Sequence, residues 1–70
     1  MVVNRIQEWR EKRRPRGISK AGFARRLGIS RSYVTRLEQG KIVPSLELAL
    51  RMAIYFGCSL EELFHLQGDT

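Results

Sequence analysis

The residues best suited to chemistry lie together in one stretch, LGISRSYVTRLEQGK, which runs from Leu27 to Lys41. Its few apolar residues alternate with residues whose side chains form hydrogen bonds. These polar and basic residues include Arg31, Ser32, Thr35 and Arg36. Elsewhere, the single cysteine and the single histidine, Cys58 and His65, have no nucleophile, acid or metal-ligand partner at a suitable spacing. The sequence therefore predicts neither a catalytic site nor a metal site, and it indicates a surface that binds.

Charge is divided unevenly along the chain. The net charge is +6, from 13 Lys and Arg against 7 Asp and Glu. Residues 1–41 hold twelve of the basic residues and three acids, an excess of +9, whereas residues 42–70 hold one arginine and four acids, a balance of −3. This asymmetry favours one face that binds a polyanion, although a solvated basic surface is the simpler alternative.

Length and composition limit the architecture. Seventy residues form one domain, residues 1–70, near the lower size limit for a single core. One cysteine excludes an internal disulfide. No apolar run approaches the roughly 20 residues of a membrane span, and the N-terminus lacks the apolar stretch of a signal peptide. We therefore expect a cytoplasmic protein without a membrane partner.

Caps and periodicity predict helices throughout. Ser19, Ser30, Ser45 and Ser59 stand where N-caps are expected, and Ser59 with Glu62 forms a capping box. Glycines follow the predicted helix ends, where a left-handed residue is favoured. The predicted helices cover Val3–Arg13, Ser19–Leu27, Ser30–Gln39, Ser45–Phe56 and Leu60–His65. Strand signals are nearly absent, so the predicted class is all-α.

The second and third predicted helices form a unit over residues 19–39. Only Gly28 and Ile29 separate Leu27 from the Ser30 cap, so the two axes must turn sharply against each other. Val34 and Leu37 can hold the third helix on the core while its remaining residues face outward. This arrangement is typical of a helix-turn-helix, in which the second helix of the pair enters the major groove of DNA.

The segment ISKAGFARRLGISRSYVTRLEQGKIVPSLELALRMAIYFGCSLEELF resembles the Cro/C1-repressor-type (XRE) helix-turn-helix family. The LGIS turn, the LExGK end of the third helix, Pro44-Ser45-Leu46 and the GxSLEELF ending carry the resemblance. It implies a compact five-helix, lambda-repressor-like domain that binds double-stranded operator DNA, commonly as a symmetric dimer. Such a protein regulates transcription, as a repressor or an autoregulator. We expect no cofactor and no small-molecule ligand, because the predicted helices account for nearly the whole chain and leave no ligand domain.

The resemblance also assigns roles to single residues. Arg31, Ser32, Thr35 and Arg36 match positions that reach base edges. Ser19, Lys20, Ser30, Tyr33 and Lys41 match positions that contact the phosphate backbone, with Ser30 serving first as a cap. Arg10 and Glu38 match an internal ion pair, although phosphate binding is the alternative for Arg10.

The fourth and fifth predicted helices contain more apolar residues than one core requires. This surplus predicts a surface that contacts another protein chain. Leu48, Ile54 and Tyr55 lie partly off the main stripe of the fourth helix, and Leu66 follows Phe64 past the fifth. We expect a homodimer through residues 54–66, with Ile54, Tyr55, Phe64 and Leu66 at the interface. The alternative is that these two helices pack only among themselves.

Two other function classes fit the sequence less well than DNA regulation. A protein-interaction module of the same fold, such as an antitoxin or an adaptor, would not need arginines on the outer side of the third helix. An enzyme finds no support, because no acid–base pair, nucleophile set or phosphate-binding loop is present in the sequence.

Overall fold

Serine caps define where most of the helices begin. In the computed structural model, which describes residues 1–13 and 15–67, the helices are α1 (Ile6–Lys12), α2 (Lys20–Leu27), α3 (Arg31–Glu38), α4 (Leu46–Phe56) and α5 (Leu60–Leu63). Each of the last four follows directly after a serine whose Oγ accepts a hydrogen bond from the backbone N–H three residues on. The described residues thus contain five helices, as predicted, and the capping box of Ser59 and Glu62 is confirmed.

Two short strands join the ends of the described chain and correct the all-α expectation. β1 (Val2–Asn4) pairs antiparallel with β2 (Phe64–Leu66), in a register that places Val3 opposite His65. Helix α1 consequently begins at Ile6 rather than at Val3, and α5 ends at Leu63 rather than at His65. Three-residue strands show no readable alternation, and each forms only because the other end of the chain supplies its hydrogen bonds.

The core lies where the helices and the small sheet meet. Its fully buried large side chains are Ile6, Phe23, Val34, Leu37, Met52 and Leu63. On α4 the expectation that Leu48 lies partly off the buried stripe was wrong, since Leu48 is buried, whereas Leu46 is 67% exposed. The buried arc of α4 centres on Met52, and Leu46 lies about 120° away from it around the helix. None of the helices in the described residues is long or apolar enough to cross a membrane.

Candidate nucleic-acid interface

A tight turn sets the angle between α2 and α3. Gly28 ends α2 with φ of 72°, a left-handed conformation that glycine adopts without a steric penalty. The N–H of Ile29 then donates to the carbonyl of Ala24 at 3.0 Å, which closes the turn. Ser30 is extended, and its Oγ accepts from the N–H of Tyr33 at 3.0 Å. The chain therefore reverses into α3 within three residues.

Helix α3 buries one narrow side and presents the other. Val34 and Leu37 are fully buried, and they hold the helix on the core. The four predicted base-reading residues lie on the opposite side of the helix: Arg31, Ser32, Thr35 and Arg36. Together with Lys20 at the start of α2 they line one open groove of about 590 Å³. Both helices of the unit therefore contribute to a single concave, basic surface.

The charged groups in this groove are available for binding. Within the described residues, the side chains of Lys20, Arg31 and Arg36 make no hydrogen bond or ion pair to the protein. The two hydroxyls are partly engaged: Thr35 Oγ1 donates to the carbonyl of Arg31 at 3.2 Å, and Ser32 Oγ lies 3.2 Å from the Oγ of Ser30. In this rotamer Thr35 can offer an incoming base an acceptor lone pair and its methyl group.

Apart from Lys20, which lines the groove, the predicted phosphate-contacting residues lie in different environments. Ser19 and Ser30 are exposed caps, and Lys41 is exposed just after the end of α3. Tyr33 is half-buried and packs against the core. Ser19 Oγ accepts from the N–H of Gly22 at 3.0 Å, and a Cβ at Gly22 would lie only 3.2 Å from that oxygen. The glycine therefore leaves room for the cap at the start of α2.

An ion pair ties the end of α3 to α1. Arg10 Nε donates to Glu38 Oε2 at 2.9 Å, and Arg10 Nη2 donates to Oε1 at 3.3 Å. The third donor, Nη1, reaches the carbonyl of Ile18 at 3.0 Å. The two side chains are only 10% and 6% exposed. Because its guanidinium is occupied by protein acceptors, Arg10 is not available to a phosphate.

Asn4 makes a second link to α3 that the sequence reasoning missed. Its Nδ2 donates to the carbonyl of Leu37 at 2.6 Å, while its Oδ1 accepts from the N–H of Ile6 at 3.1 Å. One side chain therefore accepts from the first N–H of α1 and donates to a carbonyl near the end of α3. An asparagine two residues before a helix indicates a local turn, in which its side chain accepts from the N–H two residues on. Nothing in the sequence links it to a residue 33 positions away.

The four residues predicted at a dimer interface separate into two groups. Ile54 and Leu66 are 80% and 57% exposed, and Phe64 lines apolar hollows beside Leu66. Tyr55 is half-buried, its ring 5.7 Å from that of Phe23 between centroids. The guanidinium of Arg13 lies 4.1 Å from the centre of the Tyr55 ring, and Arg13 Nη1 donates to the Tyr55 carbonyl at 3.2 Å. Tyr55 thus contacts the basic segment that follows α1, residues 13–16. Arg14 of this segment lies outside the described residues.

Two groups in and before α5 have shifted pKa values. Burial, with a smaller contribution from the Glu62 charge, raises the pKa of the Cys58 thiol, which packs against the core as a small apolar residue. Hydrogen bonds from Ser59 lower the pKa of Glu62. The backbone N–H of Ser59 donates to Glu62 Oε1 at 2.8 Å. Both groups lie outside the basic groove.

Helix α2, the turn and α3 have the arrangement of a helix-turn-helix domain, with the basic groove on the outer side. A family model described as Helix-turn-helix matches residues 10–63. An uncharacterised HTH-type transcriptional regulator of Methanocaldococcus jannaschii is 36% identical over 52 residues, which cover 74% of this chain and 79% of that protein. The uncharacterised HTH-type transcriptional regulator YgzD of Bacillus subtilis is 33% identical over 69 residues, 99% of this chain and 100% of YgzD. The chain belongs to the Cro/C1-type helix-turn-helix family of transcriptional regulators.

Proposed function

We propose that this chain is a sequence-specific regulator of transcription that inserts α3 into the major groove of double-stranded DNA. It acts as a homodimer on a palindromic operator, as a repressor or an autoregulator, on the nucleoid in the cytoplasm. The observation that carries the proposal is the groove in which Lys20, Arg31, Ser32, Thr35 and Arg36 meet. An α-helix fits the major groove, and its side chains can there distinguish the base pairs.

The proposed surface makes two kinds of contact, one to the base edges and one to the phosphate backbone. Arg31 or Arg36 donates two parallel hydrogen bonds to O6 and N7 of a guanine, which discriminates against a wrong base by about 1–3 kcal/mol. Lys20 contributes a point charge toward the backbone from the start of α2, and Lys41 does the same after α3. Ser19, Ser30 and Tyr33 contribute further contacts to phosphates.

The excess of charge in residues 1–41 supports the same assignment. Twelve basic residues stand there against three acids, and one of those acids, Glu38, is already paired with Arg10. Binding should therefore release counterions from DNA, and the logarithm of the affinity should fall linearly with the logarithm of salt concentration. An adaptor that binds another protein through a different face would not show this dependence.

Selection of bound duplexes from a random library tests the proposal. We expect a motif with two-fold symmetry, whose half-sites are separated by about one helical turn of DNA. The affinity for the selected site should decrease steeply as salt is raised from about 50 to 200 mM. The alternative, an antitoxin or adaptor, predicts no enriched motif, negligible and salt-insensitive DNA affinity, and tight binding to a protein partner.

A further inference from the structure

An aromatic cluster joins α1 to the end of α4. The ring of Phe56, the last residue of α4, stacks on the buried ring of Phe23, with 5.1 Å between centroids and 21° between planes. The Tyr55 ring meets the Phe56 ring edge-on, at 5.2 Å between centroids. The Trp9 ring, on α1, lies 6.2 Å from that of Phe56. These are favourable separations for aromatic pairs, so the four rings form one packed group.

The cluster borders a hollow on the surface between α1 and the end of α4. Trp9 and Phe56 are half-buried, and both line this hollow, whose volume is about 340 Å³. Small-molecule sites have volumes of about 300–1,000 Å³ and largely aromatic or apolar walls. Trp9 is held in place because its Nε1 donates to the carbonyl of Glu62 at 3.3 Å. Phe56 is held by its stacking on Phe23, so the fold fixes both aromatic walls before any ligand binds.

Two cations form further walls of the same hollow. Lys12 and Arg13 line it, and both are exposed. Within the described residues the Lys12 ammonium makes no ion pair, although Glu8 lies one turn before it. Arg13 Nη1 donates to the Tyr55 carbonyl at 3.2 Å, and the guanidinium lies 4.1 Å from the centre of the Tyr55 ring. One cation is therefore positioned beside the hollow, and the other is free to move toward an anion.

We propose that this hollow binds a planar aromatic carboxylate. The ring of the ligand packs against Trp9 and Phe56 and extends the aromatic cluster by one member. Its carboxylate accepts a charge-assisted hydrogen bond from Lys12 Nζ and a second from Arg13 Nη2, which makes no hydrogen bond to the described residues. The aromatic walls thus select a flat ring, and the cations select a negative charge.

The inference goes beyond the proposed function and does not depend on it. The hollow shares no residue with the groove lined by Arg31 and Arg36, so a ligand here leaves the DNA-binding surface open. It replaces the expectation that the chain has no small-molecule ligand, which followed from the lack of a ligand domain. The site needs no such domain, because residues of α1, the position after it and the end of α4 form its walls.

Titration of the full chain with cinnamate tests the proposal. Trp9 is the only tryptophan, so its indole N–H gives a single signal in a nitrogen–proton correlation spectrum, and that signal arises at the proposed site. We expect a saturable shift of this signal with a dissociation constant of about 1 mM or lower, as for a small ligand in an open site. The absence of a shift at about 10 mM cinnamate would overturn the proposal.

Two control ligands separate the contributions of charge and ring. Cinnamamide keeps the planar ring but has no charge, and we expect it to bind about tenfold more weakly than cinnamate. Cyclohexanecarboxylate keeps the charge but has no aromatic ring, and we expect a loss of about threefold to tenfold. Binding of either control as tight as that of cinnamate would overturn the assignment of ligand class.

A single-stranded oligothymidylate distinguishes a small molecule from a nucleic-acid strand at the hollow. Surfaces that combine cations and aromatic rings can also stack the bases of single strands. We expect the oligonucleotide to leave the Trp9 indole signal unchanged at concentrations at which cinnamate saturates it. A saturable shift at lower concentration than cinnamate requires would overturn the small-molecule assignment.

Substitution of single lysines tests the position of the site. Lys12→Met removes the free cation and should weaken cinnamate binding about threefold to fivefold, the range of an exposed charge pair. Lys12→Arg keeps the charge and should bind within about twofold of the unmodified protein. Lys41→Met is the matched control, because Lys41 is also an exposed lysine but does not line the hollow. Equal weakening by Lys12→Met and Lys41→Met would reflect net charge alone and would overturn the site.

Discussion

Removal of the Glu38 carboxylate should be among the most destabilising single changes in this domain. The side chain receives two hydrogen bonds from Arg10, at 2.9 and 3.3 Å, and it is 6% exposed. Arg10, on α1, is also nearly inaccessible to water. In Glu38→Ala its guanidinium keeps the bond to the Ile18 carbonyl but loses the opposite charge. Water cannot fully replace the carboxylate, because the helices enclose the site.

The expected magnitude follows from the burial of the pair. Loss of one partner from a buried ion pair costs about 3–5 kcal/mol, whereas an exposed pair contributes about 0–1 kcal/mol. A domain of this length has a total stability of about 3.5–10 kcal/mol, from roughly 0.05–0.15 kcal/mol per residue. Glu38→Ala should therefore leave the protein close to its folding limit at room temperature. The double change Arg10→Met with Glu38→Leu should recover much of the loss, since no charge then remains buried.

Urea unfolding followed by circular dichroism measures these free energies. Glu8→Ala is the matched control, because it removes an exposed acid from α1 and should change stability by less than about 0.5 kcal/mol. A loss for Glu38→Ala within about 1 kcal/mol of that control would refute the reasoning. It would mean that the pair is solvated and does not tie α3 to α1.

Three further predictions concern the elements around α3 and α5. Asn4→Ala should cost about 0.5–1.5 kcal/mol in urea unfolding for each of the two hydrogen bonds that it removes, while the Leu37 carbonyl keeps its bond from the Gly40 N–H at 3.0 Å. Hydrogen exchange should increase near the end of α3; unchanged exchange there would contradict the link. Ser30→Ala should cost about 1 kcal/mol by loss of the N-cap, and Ser30→Gly only a few tenths, in the same assay; equal losses would argue against a cap. The lowered pKa of Glu62 means that its capping box stabilises the fold above the ordinary glutamate pKa, and that this contribution disappears as pH falls through the lowered value. Glu62→Gln should therefore lose less stability than the unmodified protein between pH 7 and pH 3, and identical pH profiles would contradict this.

The helices were predictable because their signals are local. A serine oxygen that accepts from the N–H three residues on needs no distant partner, and each of α2, α3, α4 and α5 begins directly after such a serine. The short link through Gly28 likewise fixes the α2–α3 turn within a few residues. The outward face of α3 follows from the positions of Val34 and Leu37 alone.

The features that sequence reasoning missed depend on contacts between distant parts of the chain. β1 and β2 are three residues each, and their paired residues Val3 and His65 are 62 positions apart, which hides the pairing in the sequence. Asn4 reaches α3 only because that sheet holds it in place. On α4, both Leu46 and Leu48 fit a helical stripe with Ala49 and Met52, and the packing of the neighbouring helices decides which of them is buried.

In the proposed complex, Arg31 reads a base and Lys41 binds only the backbone. The most direct measurement compares Arg31→Ala and Lys41→Ala on the selected operator, on variants with single base-pair changes, and on unrelated DNA at several salt concentrations. We predict that Arg31→Ala loses about 1–3 kcal/mol on the operator and discriminates less at one base pair. Lys41→Ala should weaken binding to all sequences alike and reduce the salt slope by about 1. Unchanged affinity and discrimination for Arg31→Ala would contradict the assignment of α3 as the reading helix.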